Sequence, residues 1–129
     1  MAIYSLGAVA NLNPTLTFHA SSVELRITNT TAAPLTPIVV KVYNSNGATP
    51  TGATEVLYFT TTFAIGAPNG VVTLNIPTVV PSYAITVSSP AAAGFVSDIS
   101  IYAQGRDAAG NLVADQVFPF GDWNFVTTA

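Results

Sequence analysis

Hydrophobic and polar residues alternate with a period of two along most of this chain. In SVELRITN, residues 22–29, Val23, Leu25 and Ile27 fall on one side and Glu24, Arg26 and Thr28 on the other. GVVTLNI (70–76) puts Val72, Leu74 and Ile76 on a shared face, and SYAITVS (82–88) does the same with Tyr83, Ile85 and Val87. Successive side chains of a strand point to opposite faces, so the pattern is that of strands with one buried side. Further strands are expected over 37–44, 54–62, 95–103, 111–118 and 123–128. The segments TAAPLTP, NSNGATPTG, GAPNG, PTVVP, SPAAAG and RDAAGN separate them, all carrying Pro, Gly or Asn. No stretch shows the 3.6-residue period of a helix. Eight or nine short strands with regular turn signals predict an all-β, jelly-roll-like β-sandwich of antiparallel strands.

The first dozen residues carry a pattern of their own. The even positions Ala2, Tyr4, Leu6, Ala8, Ala10 and Leu12 are all apolar, and the odd ones, Ile3, Ser5, Gly7, Val9 and Asn11, are mixed. Extended, the segment is a strand of roughly 35 Å with one continuous apolar face. Asn13-Pro14 then breaks it from the rest. Two readings are open: an ordinary first strand, or a donor strand that completes a neighbour's sheet. On the second, residues 1–13 are an N-terminal connector, 14–129 a single β-sandwich domain, and the partner is another copy of this chain. Main-chain bonds supply affinity and alternate side chains specificity. Ala2, Ile3, Tyr4, Leu6, Ala8, Val9, Ala10 and Leu12 then form the subunit interface, with Tyr4 and Leu6 as the largest anchors. Such a contact is heterologous and does not close, so the product is a filament.

Composition supports the strand reading and narrows the function. Thr, Val and Ile make up 40 of 129 residues, and these branched side chains suit a pleated sheet. Only 7% of residues are charged, against about 25% in an average domain. A surface so poor in charge offers little repulsion between copies and favours association. The net charge is −3 with no basic cluster, which disfavours nucleic acid as a partner. No run approaches the roughly 20 apolar residues of a membrane span, and no basic residue precedes the apolar N-terminus as in a secretory signal. There is no cysteine, so thiol crosslinks and thiolate metal sites are excluded.

Candidate chemistry is sparse. GRDAAGN at 105–111 sets Arg106 beside Asp107 between two strands, and Asp115 follows. Gly110 or Asn111 readily takes positive φ, so the stretch reads as a hairpin turn. A catalytic loop there needs a base or a nucleophile, and the one histidine, His19, is far away in sequence. The carboxylates are scattered without the spacing of a calcium loop. No catalytic frame, cofactor or metal site is therefore expected, and the chain does not read as an enzyme. Trp123 with Phe118, Phe120 and Phe125 forms an aromatic cluster suited to packing or to an interface. Asn29-Thr30-Thr31 is a glycosylation sequon.

The stretch VELRITNTTAAPLTPIVVKVYNSNG, followed by ISIYAQGRDAAGNLVADQVF, resembles small β-rich proteins of the Bacillus-type endospore surface, the exosporium and appendage subunits. The shared elements are a strand ending in N-T-T, a Pro-interrupted loop, a V-x-V-Y strand and a G-R-[DN]-A-x-G-N-L-V hairpin. Here the last is Gly105, Arg106, Asp107, Ala108, Ala109, Gly110, Asn111, Leu112 and Val113. The resemblance implies a jelly-roll subunit that polymerises through its N-terminal connector. It implies a place on the spore surface or exosporium, synthesis in the mother-cell cytoplasm without a signal peptide, and a spore-surface anchor protein as a further partner. The best-known appendage subunits crosslink through connector cysteines, which this chain lacks. The alternative is a carbohydrate-binding or adhesive β-sandwich, such as a phage, virion or cell-surface module.

Overall fold

A computed structural model describes residues 2–11, 18–44, 55–90 and 99–127. Among the described residues the alternating segments form nine strands: β1 (Ala2–Ala10), β2 (Ser22–Asn29), β3 (Leu35–Asn44), β4 (Val56–Ile65), β5 (Val71–Pro77), β6 (Ser82–Ser89), β7 (Ile99–Arg106), β8 (Leu112–Phe118) and β9 (Asn124–Thr127). One sheet has the order β4-β3-β6-β1-β9 and the other β5-β2-β7-β8. Every paired strand is antiparallel. The chain crosses between sheets after β1, β2, β4, β5, β6 and β8, so only β3–β4 and β7–β8 are simple hairpins. The expected all-β architecture is thus a two-sheet antiparallel sandwich.

Period-2 patterning becomes the core directly. Val23, Leu25 and Ile27 of β2 and Ile99, Ile101 and Ala103 of β7 face Ile38, Val40 and Val42 of β3 and Tyr83, Ile85 and Val87 of β6, all buried. Full burial of one such aliphatic side chain contributes about 1.5–3 kcal/mol. Several strand ends differ from the sequence expectation. β3 begins two residues before Pro37, because a register shift between Leu35 and Ile38 takes the proline out of the ladder. β4 runs on through Phe63 to Ile65, which pairs with Leu35. β7 continues through Gly105 and Arg106, which the sequence reading placed in the turn. Leu12, the Asn13-Pro14 break and the side chain of Ala8 lie outside what the structure describes.

GRDAAGN is a structural joint. Asp107 Oδ1 accepts hydrogen bonds from the backbone N–H of Ala109 (3.0 Å) and Asn111 (2.9 Å), and Gly110 takes φ +85°. Arg106 ties the joint to the sheet. Its Nη1 donates to Gly110 O, and its Nε and Nη2 donate to Glu24 Oε2 on β2 at 3.1 and 2.9 Å. Gln104 Nε2 donates to the same oxygen at 3.0 Å. The Asn29 sequon is also structural. Asn29 is fully buried, donating to Ala33 O and accepting from Thr31 N–H and Oγ1–H, so the fold presents no amide to a glycosyl donor.

Two measurements check this account. Asp107→Ala removes a side chain that caps two turn amides, and thermal unfolding should show a loss of about 1 kcal/mol with β content unchanged. Gln104 and Arg106 hold the Glu24 carboxyl below the ordinary glutamate range. A carboxyl whose pKa is lowered in the fold stabilises it above the unfolded value and loses that contribution as pH falls through the folded value. The melting temperature should therefore drop more steeply below about pH 4.5 in the parent than in Glu24→Gln. Parallel curves would show that the cluster contributes nothing.

Candidate functional site

The N-terminal residues singled out in the sequence form β1, an interior strand. On one side Ala2, Ile3, Tyr4, Ser5 and Leu6 pair with Ser89, Ser88, Val87, Thr86 and Ile85 of β6. On the other, Ala2 to Ser5 pair with Thr127 to Asn124 of β9. Among the described strands β9 pairs with β1 alone, so the C-terminal strand joins the sheet only through the N-terminal one. Ala2, Tyr4 and Leu6 point into the core, and Ile3 lies half-buried on the outer face. A donor strand that has met no neighbour and an ordinary first strand occupy this same place.

The even-numbered apolar face does not run the whole length. The register shifts between Leu6 and Val9, a bulge at Gly7-Ala8. Beyond it the facing reverses: Val9 packs half-buried against the core, Ala10 is exposed and Asn11 is buried. An extra residue in a strand flips every following side chain, and Gly7 is a residue that admits such a distortion.

Tyr4 is gripped by the aromatic cluster from the other end of the chain. Its ring centroid lies 5.6 Å from that of Phe120 and 5.2 Å from that of Phe125, with the planes tilted by 50° and 57°. Such tilted pairs contribute about 0.5–1.5 kcal/mol each beyond their burial. Trp123 is buried beside them, its Nε1 donating to Phe118 O at 3.4 Å. The cluster expected from sequence is therefore a clasp on the N-terminal strand.

Sequence reasoning missed Asn11, which anchors the far end of β1. Its side chain is fully buried and hydrogen-bonded through both amide atoms. Nδ2 donates to Thr78 O (2.6 Å), Ala20 O (2.9 Å) and Val80 O (3.2 Å), and Oδ1 accepts from Ala20 N (2.8 Å) and Gln116 Nε2 (2.9 Å). Its backbone N–H donates to Pro81 O and its carbonyl accepts from His19 N–H, both at 2.8 Å. Gln116 of β8 is held in turn by Tyr83 of β6, whose hydroxyl donates to Oε1 at 2.5 Å. Burial, with a smaller effect of nearby Tyr58, pushes the Tyr83 hydroxyl well above the ordinary tyrosine range, which keeps it a proton donor. Glycine at 105 makes room for this network. A Cβ there would meet Gln116 Cβ and Oε1 at 2.9 Å and Ala20 Cβ at 3.1 Å. The available signal was a lone amide inside an apolar stretch.

Beside this network lies a cleft of about 330 Å³, lined by Val9, Ala10, His19, Val113, Asp115, Gln116 and Phe118. The fold thus brings His19 and Asp115 to one surface, although the sequence separates them widely. Among the described residues no three His, Asp or Glu side chains converge as metal ligands, and no helix is long and apolar enough to cross a membrane. No protein-family model, curated protein or solved structure matches the chain.

The network gives a direct check. Gly105→Ala forces Gln116 away from Tyr83 and Asn11, and overpacking of this kind costs about 1–3 kcal/mol. Denaturant unfolding should show that loss, whereas Gly110→Asn, at an open turn position of positive φ, should change stability far less.

Proposed function

We propose that the protein is a self-assembling structural subunit of a surface fibre, joined to its neighbours by donation of β1. The observation that carries the reading is the position of β1, the first of the described strands and yet interior to its sheet, between β6 and β9. Its departure opens a groove bounded by two strand edges, those of β6 and β9. The same strand from another copy restores every main-chain bond and the Tyr4 and Leu6 contacts. Exchange of identical elements is a low-cost route to association, and it stays open-ended when each copy donates to the next. A surface with 7% charged residues adds little repulsion to oppose contact. With no cysteine, strand pairing and packing alone hold the fibre. The resemblance to endospore appendage and exosporium subunits supports a bacterial spore surface as the location of the fibre, with an anchor protein as a further partner.

A second reading, an adhesive sandwich that binds glycans, draws on the cleft, which Asp115, His19 and Gln116 line together with Phe118. Negative-stain microscopy of the purified chain separates the two. The donation reading predicts fibres from the parent and none from Leu6→Asp, whose charge cannot enter the apolar groove. Because Leu6 is also a core residue of the single chain, this variant should melt at a lower temperature. Added peptide 2–11 should shorten the parent fibres by capping free grooves. Dispersed parent particles that bind a glycan array would overturn donation in favour of adhesion.

A further inference from the structure

We infer that Asn11 is the peg by which an acceptor domain recognises the end of a donated strand, so that the exchanged unit is residues 2–11. This rests on the donation reading and sharpens it.

The groups that hold Asn11 come from Ala20, Thr78, Val80, Pro81, Gln116 and His19, all outside the strand that Asn11 ends. They form a socket of inward-facing carbonyl oxygens beside two N–H donors. Of the twenty side chains, only an amide answers both sets at this size. An aliphatic residue in its place would leave several buried polar groups unpaired, and an aspartate would set a negative charge against carbonyl oxygens. The socket therefore reads register. A slip that brought Val9 to it would orphan those groups. The opposite slip would offer Asn13, but would put Leu6 where Tyr4 meets Phe120 and Phe125. Peg and aromatic clasp, at the two ends of β1, together admit one alignment.

The peg also limits how assembled copies sit. Asn11 and Phe18 are separated by the six residues 12–17, which span at most about 24 Å fully extended. An acceptor's socket must lie within that reach of the donor's Phe18, so successive sandwiches are in direct contact rather than strung on a long tether.

The test uses pairs of engineered cysteines in the full chain, which has none of its own. Ile3 opposes Ser88 near the clasp, and Ala10 opposes Ser82 beside the peg. Opposed Cα atoms in an antiparallel pair lie about 4.5–5.5 Å apart, within disulfide reach. After assembly and oxidation, both Ile3→Cys/Ser88→Cys and Ala10→Cys/Ser82→Cys should give ladders of covalent multimers on non-reducing denaturing gels. A ladder from the first pair with closure inside single chains for the second would mean that the strand pivots at the bulge and Asn11 stays at home. That overturns the peg and leaves donation standing. Closure of both pairs inside single chains would overturn donation itself. Asn11→Asp in the first-pair background should cut covalent multimers at least tenfold, and an undiminished ladder would refute the role of the amide.

Discussion

The sandwich depends on its first strand, which has neighbours on both sides. β1 supplies the hydrogen-bonding edge for β6 and, among the described strands, the only partner of β9, while Ala2, Tyr4 and Leu6 fill the core beneath. Losing it would unpair two rows of backbone N–H and C=O groups at once, and unpaired polar groups in an interior are costly. The molecule therefore needs some copy of this strand in this place. Nothing in the physics of the groove asks which copy supplies it.

Both ends of the strand are held by features that make it specific. Near the chain terminus the grip is apolar and aromatic, Tyr4 under Phe120 and Phe125. Past the bulge it is polar, with Asn11 satisfied by Gln116 of β8 and by backbone groups of the loops at Ala20 and Thr78. An apolar groove alone would accept many alternating sequences. A buried amide socket does not, because its groups stay satisfied only by an amide in register. Three of the charged residues, Glu24, Arg26 and Arg106, gather on the outer face of the second sheet and tie its hairpin down.

Much of this was legible in the residues themselves. β2 coincides with the alternation of 22–29, since Val23, Leu25 and Ile27 have no other way to hide. The hairpin at 106–111 follows from Asp107 and Gly110. What could not be read is non-local. Gly105 looks like a turn residue, and its strand position follows only from the approach of Gln116 on β8. The bulge at Gly7-Ala8 is imposed by pairing with β6, so the even-numbered face appeared unbroken in sequence although Ala10 is exposed. Asn11 was passed over because its partners lie up to 105 residues away. His19 and Asp115 meet in one cleft for the same reason.

The central claim is that the strand between β6 and β9 belongs to another copy once the protein has assembled. Solid-state NMR on assemblies grown from an equal mixture of ¹⁵N-labelled and ¹³C-labelled chains tests it directly. Donation predicts cross-peaks between β1 amides of one label and β6 carbons of the other. Assemblies that show β1–β6 contacts only within uniformly labelled chains, and none between the two labels, would contradict it.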